Sequence, residues 1–483
     1  MQIISHENDK SLLISTFFTT FAAERIYFRL NFNLLNNKTM KKHLFPLILL
    51  ACSLVACDNS FKVESGFTLV PLESQITTVQ PMTGLVMWTT HSQRLRYAPV
   101  IQLEFQYCLP CRVVMGKADG KIQYDWSYFE QILDDMKSRN HQGVIRFRYE
   151  YPGNTLVDGE PGSTAVPQYI KELEDYNETF KKNEDGPTYY ADWTNKELQW
   201  FTKQFYTDFA ERYNNDPRIA FLELGFGHWS EYHIYGTPLK LGTNFPSHDY
   251  QKEFLTHVDQ VLDIPWAISI DAADSYYTPI VKDEQLMALN FGLFDDSFMH
   301  EHHEIAQGDG YNERCWQEIG RNTRWHTGVC GGEISYYTNY DQRNFLDTAG
   351  MYGWTWEEAA AKYHITFMIA NDATGSIHGS TERFREAGIA SGYNFQVVNC
   401  RTNGEETRFT VNNIGVAPIY RDAYFQINGT QSEVSLRGLL PGNSLDITIP
   451  TGLVKREELT IVSPHILPTQ KIEYEATSNE LVK

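Results

Sequence analysis

The chain has 483 residues, of which 42% are hydrophobic and 14% aromatic, enough for one large domain with a sizeable core and a smaller second one. Its formal charge of −20 argues against a nucleic-acid partner or an anionic membrane surface, both of which need clustered Lys and Arg. It also weighs against a strongly polyanionic substrate.

The N-terminus reads as targeting sequence. Met40-Lys41-Lys42 and the apolar run Leu44 to Ala51 form the charged region and short apolar region of a secretory signal. The run ends in Leu54-Val55-Ala56-Cys57, which resembles the bacterial lipoprotein box, whose cysteine is lipidated and becomes the first mature residue. On that reading residues 1–39 precede the natural start, 40–57 are the signal and 58–80 a polar linker. The resemblance implies export through a bacterial inner membrane and a lipid anchor at Cys57, in the periplasm or on the cell surface. No later segment approaches the roughly 20 apolar residues of a membrane span. In an oxidising compartment Cys315 and Cys330 are candidates to close a loop. Cys108-Leu109-Pro110-Cys111 has redox-motif spacing but lies in an extended apolar stretch, so it reads as a structural pair or as free thiols.

From residue 81 strand signals alternate with helix signals, the pattern of a parallel sheet with crossovers. Thr83 to His91 and Val100 to Tyr107 read as strands, Asp125 to Arg139 as a helix, and Gly143 to Tyr151 as a third strand. Residues 154–193 are a polar insertion expected to form a wall of any cleft. A helix with its cap at Thr194 carries the stripe Leu198, Phe201, Phe205 and Phe209. Ile219 onward is strand four, His248 to Leu262 a helix, Pro265 to Ala273 strand five, Leu286 to Phe294 strand six and His326 to Ser335 strand seven. Trp356 to Ala370 reads as a helix and Thr374 to Gly379 as strand eight. Eight strands with intervening helices give an α/β fold, a (β/α)₈ TIM barrel over residues 81–388. Short alternating segments over 389–467, punctuated by Asn428-Gly429 and Pro441-Gly442, read as a C-terminal antiparallel β-sandwich, and 468–483 as a polar tail.

Chemistry in such barrels sits just past the C-terminal strand ends. Strand four runs into Gly225-Phe226-Gly227-His228-Trp229-Ser230-Glu231-Tyr232-His233, polar and aromatic residues that no core requires. Strand seven ends at Glu333 behind Gly331-Gly332, glycines expected to leave room for a ligand. Strands four and seven lie nearly opposite one another, so Glu231 and Glu333 are expected in one cleft. Glycosidic cleavage needs such a pair, one a general acid and the other a nucleophile or base. Arg148 is the first candidate to keep the nucleophile ionised and Arg146 the second; Glu223, inside the strand, reads as an ion-pair partner of an interior arginine. Asp271 and Asp295 end strands and are candidates for sugar hydroxyls, as are His91, His228, His233, His302 and His378 near strand ends and loops. Trp88, Trp229, Trp354 and Trp356 are candidates to stack on sugar faces. His300-Glu301-His302-His303-Glu304 has metal-like composition without the His-Glu-x-x-His spacing, and no metal or cofactor is assigned. No Gly-x-Ser-x-Gly elbow or phosphate-binding glycine loop appears.

The carboxylates after strands four and seven resemble those of the clan A glycoside hydrolases, β-galactosidases among them. The runs Arg146-Phe147-Arg148-Tyr149, Gly225 to His233, Gly331-Gly332-Glu333 and Asn412 to Tyr420 resemble barrel-plus-sandwich lipoproteins of bacterial polysaccharide-utilisation loci, whose relatives include β-carrageenase-like hydrolases. Clan A barrels usually carry Asn-Glu after strand four, where this chain has Ser230-Glu231. The resemblance implies a retaining glycoside hydrolase acting on a galactose-containing poly- or oligosaccharide such as a red-algal carrageenan, with Glu231 as acid/base and Glu333 as nucleophile. The rival expectation is a glycan-binding surface lipoprotein that keeps the cleft without the chemistry; a weaker third is a metal-dependent hydrolase built on the histidine loop.

Overall fold

The computed structural model describes residues 66–153, 156–157, 160–161, 163–370 and 380–477. Eight parallel strands close into a barrel: β1 (Gly84–Trp88), β2 (Leu103–Cys108), β3 (Gln142–Phe147), β4 (Ile219–Glu223), β5 (Trp266–Ser269), β6 (Gly292–Phe298), β7 (Cys330–Ile334) and β8 (Phe367–Ile369). They follow chain order round the ring, with β8 pairing β1 through Ile369 and Val86. The crossovers include α1 (Ser127–Ser138), α2 (Lys196–Tyr213), α3 (His248–Val261), α4 (Tyr311–Gly320), α5 (Trp356–Tyr363) and α6 (Thr381–Ile389). The stripe Leu198, Phe201, Phe205 and Phe209 of α2 is buried as its spacing predicts, but the cap is Asn195, whose side chain accepts from Leu198 N.

Two expected strands move. Leu286-Met287, read as the start of strand six, lies in a helical turn (Glu284–Met287) capped by Asp283, and β6 runs on through Phe298. Strand eight is Phe367–Ile369, which the helical stripe of Trp356 to Ala370 had absorbed; α5 stops at Tyr363, with His364 left-handed (φ 53°). The expected strand Thr374 to Gly379, with His378, lies outside the described residues, as do residues 1–65 with the signal and Cys57.

Successive strand residues alternate between two cores. Leu85, Ile145, Leu222, Ile268 and Leu293 pack outward among the helices. Val86, Phe105, Val144, Phe221, Ala267, Phe294 and Phe367 point inward and fill the lower barrel. Two residues further along, the inward positions of β2, β3, β4 and β6 change to Tyr107, Arg146, Glu223 and Asp296. A packed apolar floor thus carries a polar storey at the C-terminal strand ends.

The second layer is built from β9 (Phe395–Thr402), β10 (Thr407–Asn413), β11 (Tyr424–Ile427), β12 (Ser444–Ile449) and β13 (Leu459–Val462), in two mostly antiparallel sheets. Their facing residues share one core, Phe409 meeting Phe425 edge-on with ring centroids 4.8 Å apart. The expected linker and tail both join this unit. Thr68–Leu69 pairs with β9, Tyr474–Glu475 pairs parallel to it, and Ser74 bridges Ala476. This β unit closes the N-terminal mouth of the barrel. Gln142 at the start of β3 donates to His465 O, Tyr420 to Trp325 O ahead of β7, and Arg421 to Asp263 O ahead of β5. Asn413 fixes the joint: its side chain donates to Ala417 O and Leu439 O and accepts from Gly415 N. The five described cysteines outside the signal are free thiols, so Cys315 and Cys330 do not close a loop. No helix among the described residues is long and apolar enough to cross a membrane.

Candidate active site

At the C-terminal strand ends lies a cleft of about 540 Å³ walled by Trp88, Tyr107, Tyr151, Trp229, Tyr336 and Tyr337, with Glu231, Asp296 and Glu333 opening into it. Its organising group is Arg146. The guanidinium is fully buried and donates Nε to Glu223 Oε2 (2.6 Å), Nη1 to Glu231 Oε1 (2.6 Å) and Nη2 to Glu333 Oε1 (2.8 Å). Nη1 also reaches the Tyr107 hydroxyl at 3.2 Å, and the guanidinium carbon stands 4.2 Å from the Phe294 ring centroid below it. One planar fork therefore ties β2, β3, β4, β7 and the loop after β4 together. Arg146, not Arg148, is the donor to the carboxylate pair. Arg148 lies outside the cleft lining, its guanidinium carbon 4.4 Å from the Tyr151 ring centroid, with Nε and Nη1 buried and unpartnered.

Three carboxyls around one guanidinium cannot all be charged cheaply. Burial, and then the negative charge of Asp296, push Glu231 well above the usual carboxylate range, against the pull of Arg146. Burial likewise raises Glu223 to about 7, although Arg146 opposes it. Glu333 is held differently: Arg146 donates to one oxygen and the Tyr336 hydroxyl to the other. The arrangement sets Glu231, whose surroundings favour its protonated form, opposite an oriented Glu333, the division of labour that acid-assisted displacement requires.

The loop after β4 reaches this geometry by folding back on itself. Tyr232 N donates to Phe226 O and His228 N to His233 O, both at 2.9 Å. Gly225 is obligatory, because a Cβ there would stand 1.9 Å from Ser230 O. Trp229, Ser230 and Tyr232 take left-handed backbone (φ 53°, 67° and 63°), a concentration of strain of the sort that marks functional loops. Ser230 points away from the cleft and donates to Phe147 O at 2.9 Å, so it anchors the loop to β3. Gly331 and Gly332 serve strand packing, not ligand access. A Cβ on Gly331 would meet Phe367 at 2.5 Å, and one on Gly332 would meet Asp295 O at 2.0 Å. Gly332→Ala is expected to lower the unfolding temperature by several degrees in a thermal melt, since the strand backbone itself must move.

The structure brings Glu231, Glu333, Trp88 and Trp229 together in the cleft. His233 and Asp271 stand beside it as a pair, Nδ1 to Oδ2 at 3.0 Å, with Tyr311 holding the other Asp271 oxygen at 3.1 Å. Burial alone would lower His233, but the bond and charge of Asp271 outweigh it and raise its pKa. The remaining candidates sit elsewhere. His228 is fully buried, stacked on Tyr190 with centroids 5.5 Å apart, and burial drives it down to about 3, so it is neutral packing. His91 is buried in the turn after β1, where Nδ1 accepts from Gln93 N. Asp295 faces outward, one residue off the inner face, bound by Trp316, Asn312 and His303. His302 is exposed on a turn, while Trp354 and Trp356 are buried, Trp354 against Phe298 and His303 and Trp356 donating to Ala387 O. Among the described residues no group of three or more His, Cys, Asp or Glu is placed to hold a metal ion.

Asp296, Tyr107, Tyr151, Tyr336 and Tyr337 were not picked out by the motifs. Strand alternation carries the signal for two of them: Tyr107 follows Phe105, and Asp296 follows Phe294, at the inward spacing of two. None of the described residues of the insertion before α2 lines the cleft. Its hairpin, Thr179–Asn183 and Gly186–Tyr190, braces the β4 loop from behind through Tyr190, whose hydroxyl donates to Tyr235 O at 2.5 Å. Glu150, just after β3, is buried with one oxygen on Ala191 N and the other unpartnered, and burial raises it to about 8. A carboxyl that binds its proton more tightly when folded contributes fully below its unfolded pKa near 4.5 and loses that contribution as pH rises toward 8. Glu150→Gln is therefore expected to match the wild-type melting temperature at pH 4 and to exceed it at pH 8.

No protein-family model matches the chain, and no curated protein does. Among solved structures it is similar to the catalytic domain of a β-amylase from Paenibacillus polymyxa, at 13% identity and a TM-score of 0.39 over 65% of this chain and 99% of that one. A family 39 glycoside hydrolase from the gut symbiont Bacteroides cellulosilyticus WH2 gives 10% identity and a TM-score of 0.37, over 77% and 81% of the two chains. A cold-adapted β-galactosidase from Rahnella sp. R3 gives 10% and 0.35, over 66% and 56%. Likenesses this distant say nothing of activity, and the chemistry has to come from the site.

Proposed function

We propose that the protein is a glycoside hydrolase in which Glu231 is the acid/base and Glu333 the nucleophile. The observation that carries this reading is the shared guanidinium: Arg146 holds both carboxyls, at 2.6 and 2.8 Å, at the floor of an aromatic-walled cleft. Adjacent nitrogens of one guanidinium make the two carboxyls near neighbours. That supports a retaining double displacement over the wider, water-admitting spacing of inversion. Glu333 attacks the anomeric carbon while Glu231 gives its proton to the departing oxygen; water then releases the sugar with Glu231 acting as base. Aromatic faces such as Trp88 and Trp229 suit the apolar faces of sugar rings.

The sequence resemblance points to a galactose-containing polysaccharide as substrate, and the Leu54 to Cys57 box to a lipid-anchored protein in the periplasm or on the cell surface of a bacterium. Labelling of the expressed protein with a clickable palmitate analogue, lost in Cys57→Ala, tests the anchor. For the activity, wild type incubated with galactan oligosaccharides is expected to release shorter products. Glu333→Gln is expected to bind the same oligosaccharides without cleaving them. Binding without cleavage by wild type would make this a glycan-binding lipoprotein instead.

A further inference from the structure

Beyond the carboxyl pair, the cleft holds a third acid for which the mechanism has no step. Asp296 opens into the same cavity as Glu231 and Glu333 and follows Phe294 on the inner face of β6. Among the described residues none makes a hydrogen bond or ion pair with its carboxylate. Its neighbour Asp295, by contrast, is fully occupied. Among the described residues the remaining wall of the cleft is aromatic save for Gln342, and none that lines it is Lys or Arg. Arg146 is already shared among three carboxyls, and Arg148 is outside the lining against Tyr151.

We propose that Asp296 is a substrate-contacting, specificity-determining residue: it accepts hydroxyl donors of the sugar seated between Glu231 and Glu333 and excludes a ring that carries sulfate or carboxylate there. This rests on the hydrolase reading above and narrows it to a substrate uncharged at the cleaved sugar. An ionised acceptor with two free oxygens suits neighbouring sugar hydroxyls, since charge-assisted hydrogen bonds are the stronger kind. An anionic substituent would meet Asp296, Glu333 and the rim acid Asp271, with no Lys or Arg among the described residues of the cleft lining to receive it.

The same charge acts on the proton donor. The groups facing Glu231 are Arg146 from β3, Glu333 from β7, Asp296 from β6 and Asp271 after β5, and of the carboxylates Asp296 contributes most to holding its proton. Burial, then Asp271, Asp295 and Glu333, raise Asp296 itself to about 7 against the pull of His233, so its charge is expressed above neutrality.

The test uses full-length Glu333→Gln, expected to bind without turnover, with and without Asp296→Asn or Asp296→Ala. Calorimetry at pH 8 compares a neutral galactotetraose with its sulfated counterpart. The neutral sugar is expected to bind at least tenfold more tightly, and both Asp296 variants to lose about tenfold in neutral-sugar affinity and to narrow the preference. In the active enzyme, Asp296→Asn is also expected to move the alkaline limb of kcat/KM to lower pH, a shift that a merely structural role would not produce. Equal or tighter binding of the sulfated sugar, or unchanged neutral affinity in both variants, overturns the proposal. If that sulfated preference disappears in Arg148→Met, the charge selection belongs to Arg148. Cleavage of the neutral sugar that Asp296→Asn leaves unaltered refutes this inference while the hydrolase reading stands; absence of binding by either sugar refutes both.

Discussion

Replacing Arg146 by Met is expected to abolish activity and to destabilise the fold more than any other single change in the site. The side chain is fully buried and is the common donor to Glu223, Glu231 and Glu333. Removing one partner of a buried ion pair typically costs about 3–5 kcal/mol, because it leaves charge uncompensated in a poor solvent. Three carboxyls losing their only shared cation belong at the upper end of that range. Protonation offers an escape, since neutral carboxyls no longer need the guanidinium. The melting-temperature deficit of Arg146→Met should therefore be largest at pH 8 and shrink as pH falls toward 5. Arg146→Lys should not rescue activity, because a single ammonium cannot copy a planar fork that serves three separate acceptors. A deficit independent of pH would mean that packing on Phe294, 4.2 Å below, and not charge, is what Arg146 supplies.

The second large effect divides the two catalytic carboxyls by role. Glu333→Gln and Glu231→Gln should each lower kcat on a natural oligosaccharide by roughly 10⁴-fold, the scale seen when a reacting group is removed from a concerted set. They should differ with an aryl galactoside whose leaving group needs no proton. There the Glu231→Gln enzyme should recover most of the first step, while Glu333→Gln stays inactive. Azide should restore turnover to Glu231→Ala by attacking the glycosyl-enzyme and giving an azide of retained configuration; with Glu333→Ala it should give the inverted one. Initial rates and product configuration by NMR check both. Identical responses of the two variants to the leaving group would contradict the assignment.

Much of this architecture was legible from residue order. The apolar runs of β1 to β5 are too short and too β-branched or aromatic for helices, and the turn after each marks the crossover. The β8 segment, Phe367-Met368-Ile369, was not legible, because three apolar residues in register with the stripe of α5 continue a helical pattern until His364 breaks it with a left-handed turn. The carboxyls at Glu231 and Glu333 were legible from chemistry out of place in a core. Their organiser was misassigned, since Arg146 and Arg148 share one strand face and only three-dimensional placement shows which meets the acids. Asp295 and Asp296 are the converse case. Adjacent residues on a strand face opposite ways, and with β6 read six residues early the inward one could not be told from the outward one. Trp354, Trp356 and His228 looked like ligand groups by type, yet aromatic residues in large barrels serve the core as readily as a sugar.

The central claim is that Glu231 and Glu333 cut a glycosidic bond. Its most direct test is mass spectrometry of a reduced galacto-oligosaccharide incubated in H₂¹⁸O with wild type and with Glu333→Gln. Wild type is predicted to give shorter products carrying one ¹⁸O at each new reducing end, and Glu333→Gln to leave the substrate intact while still binding it. Intact substrate with both proteins, or equal cleavage by both, would contradict the claim.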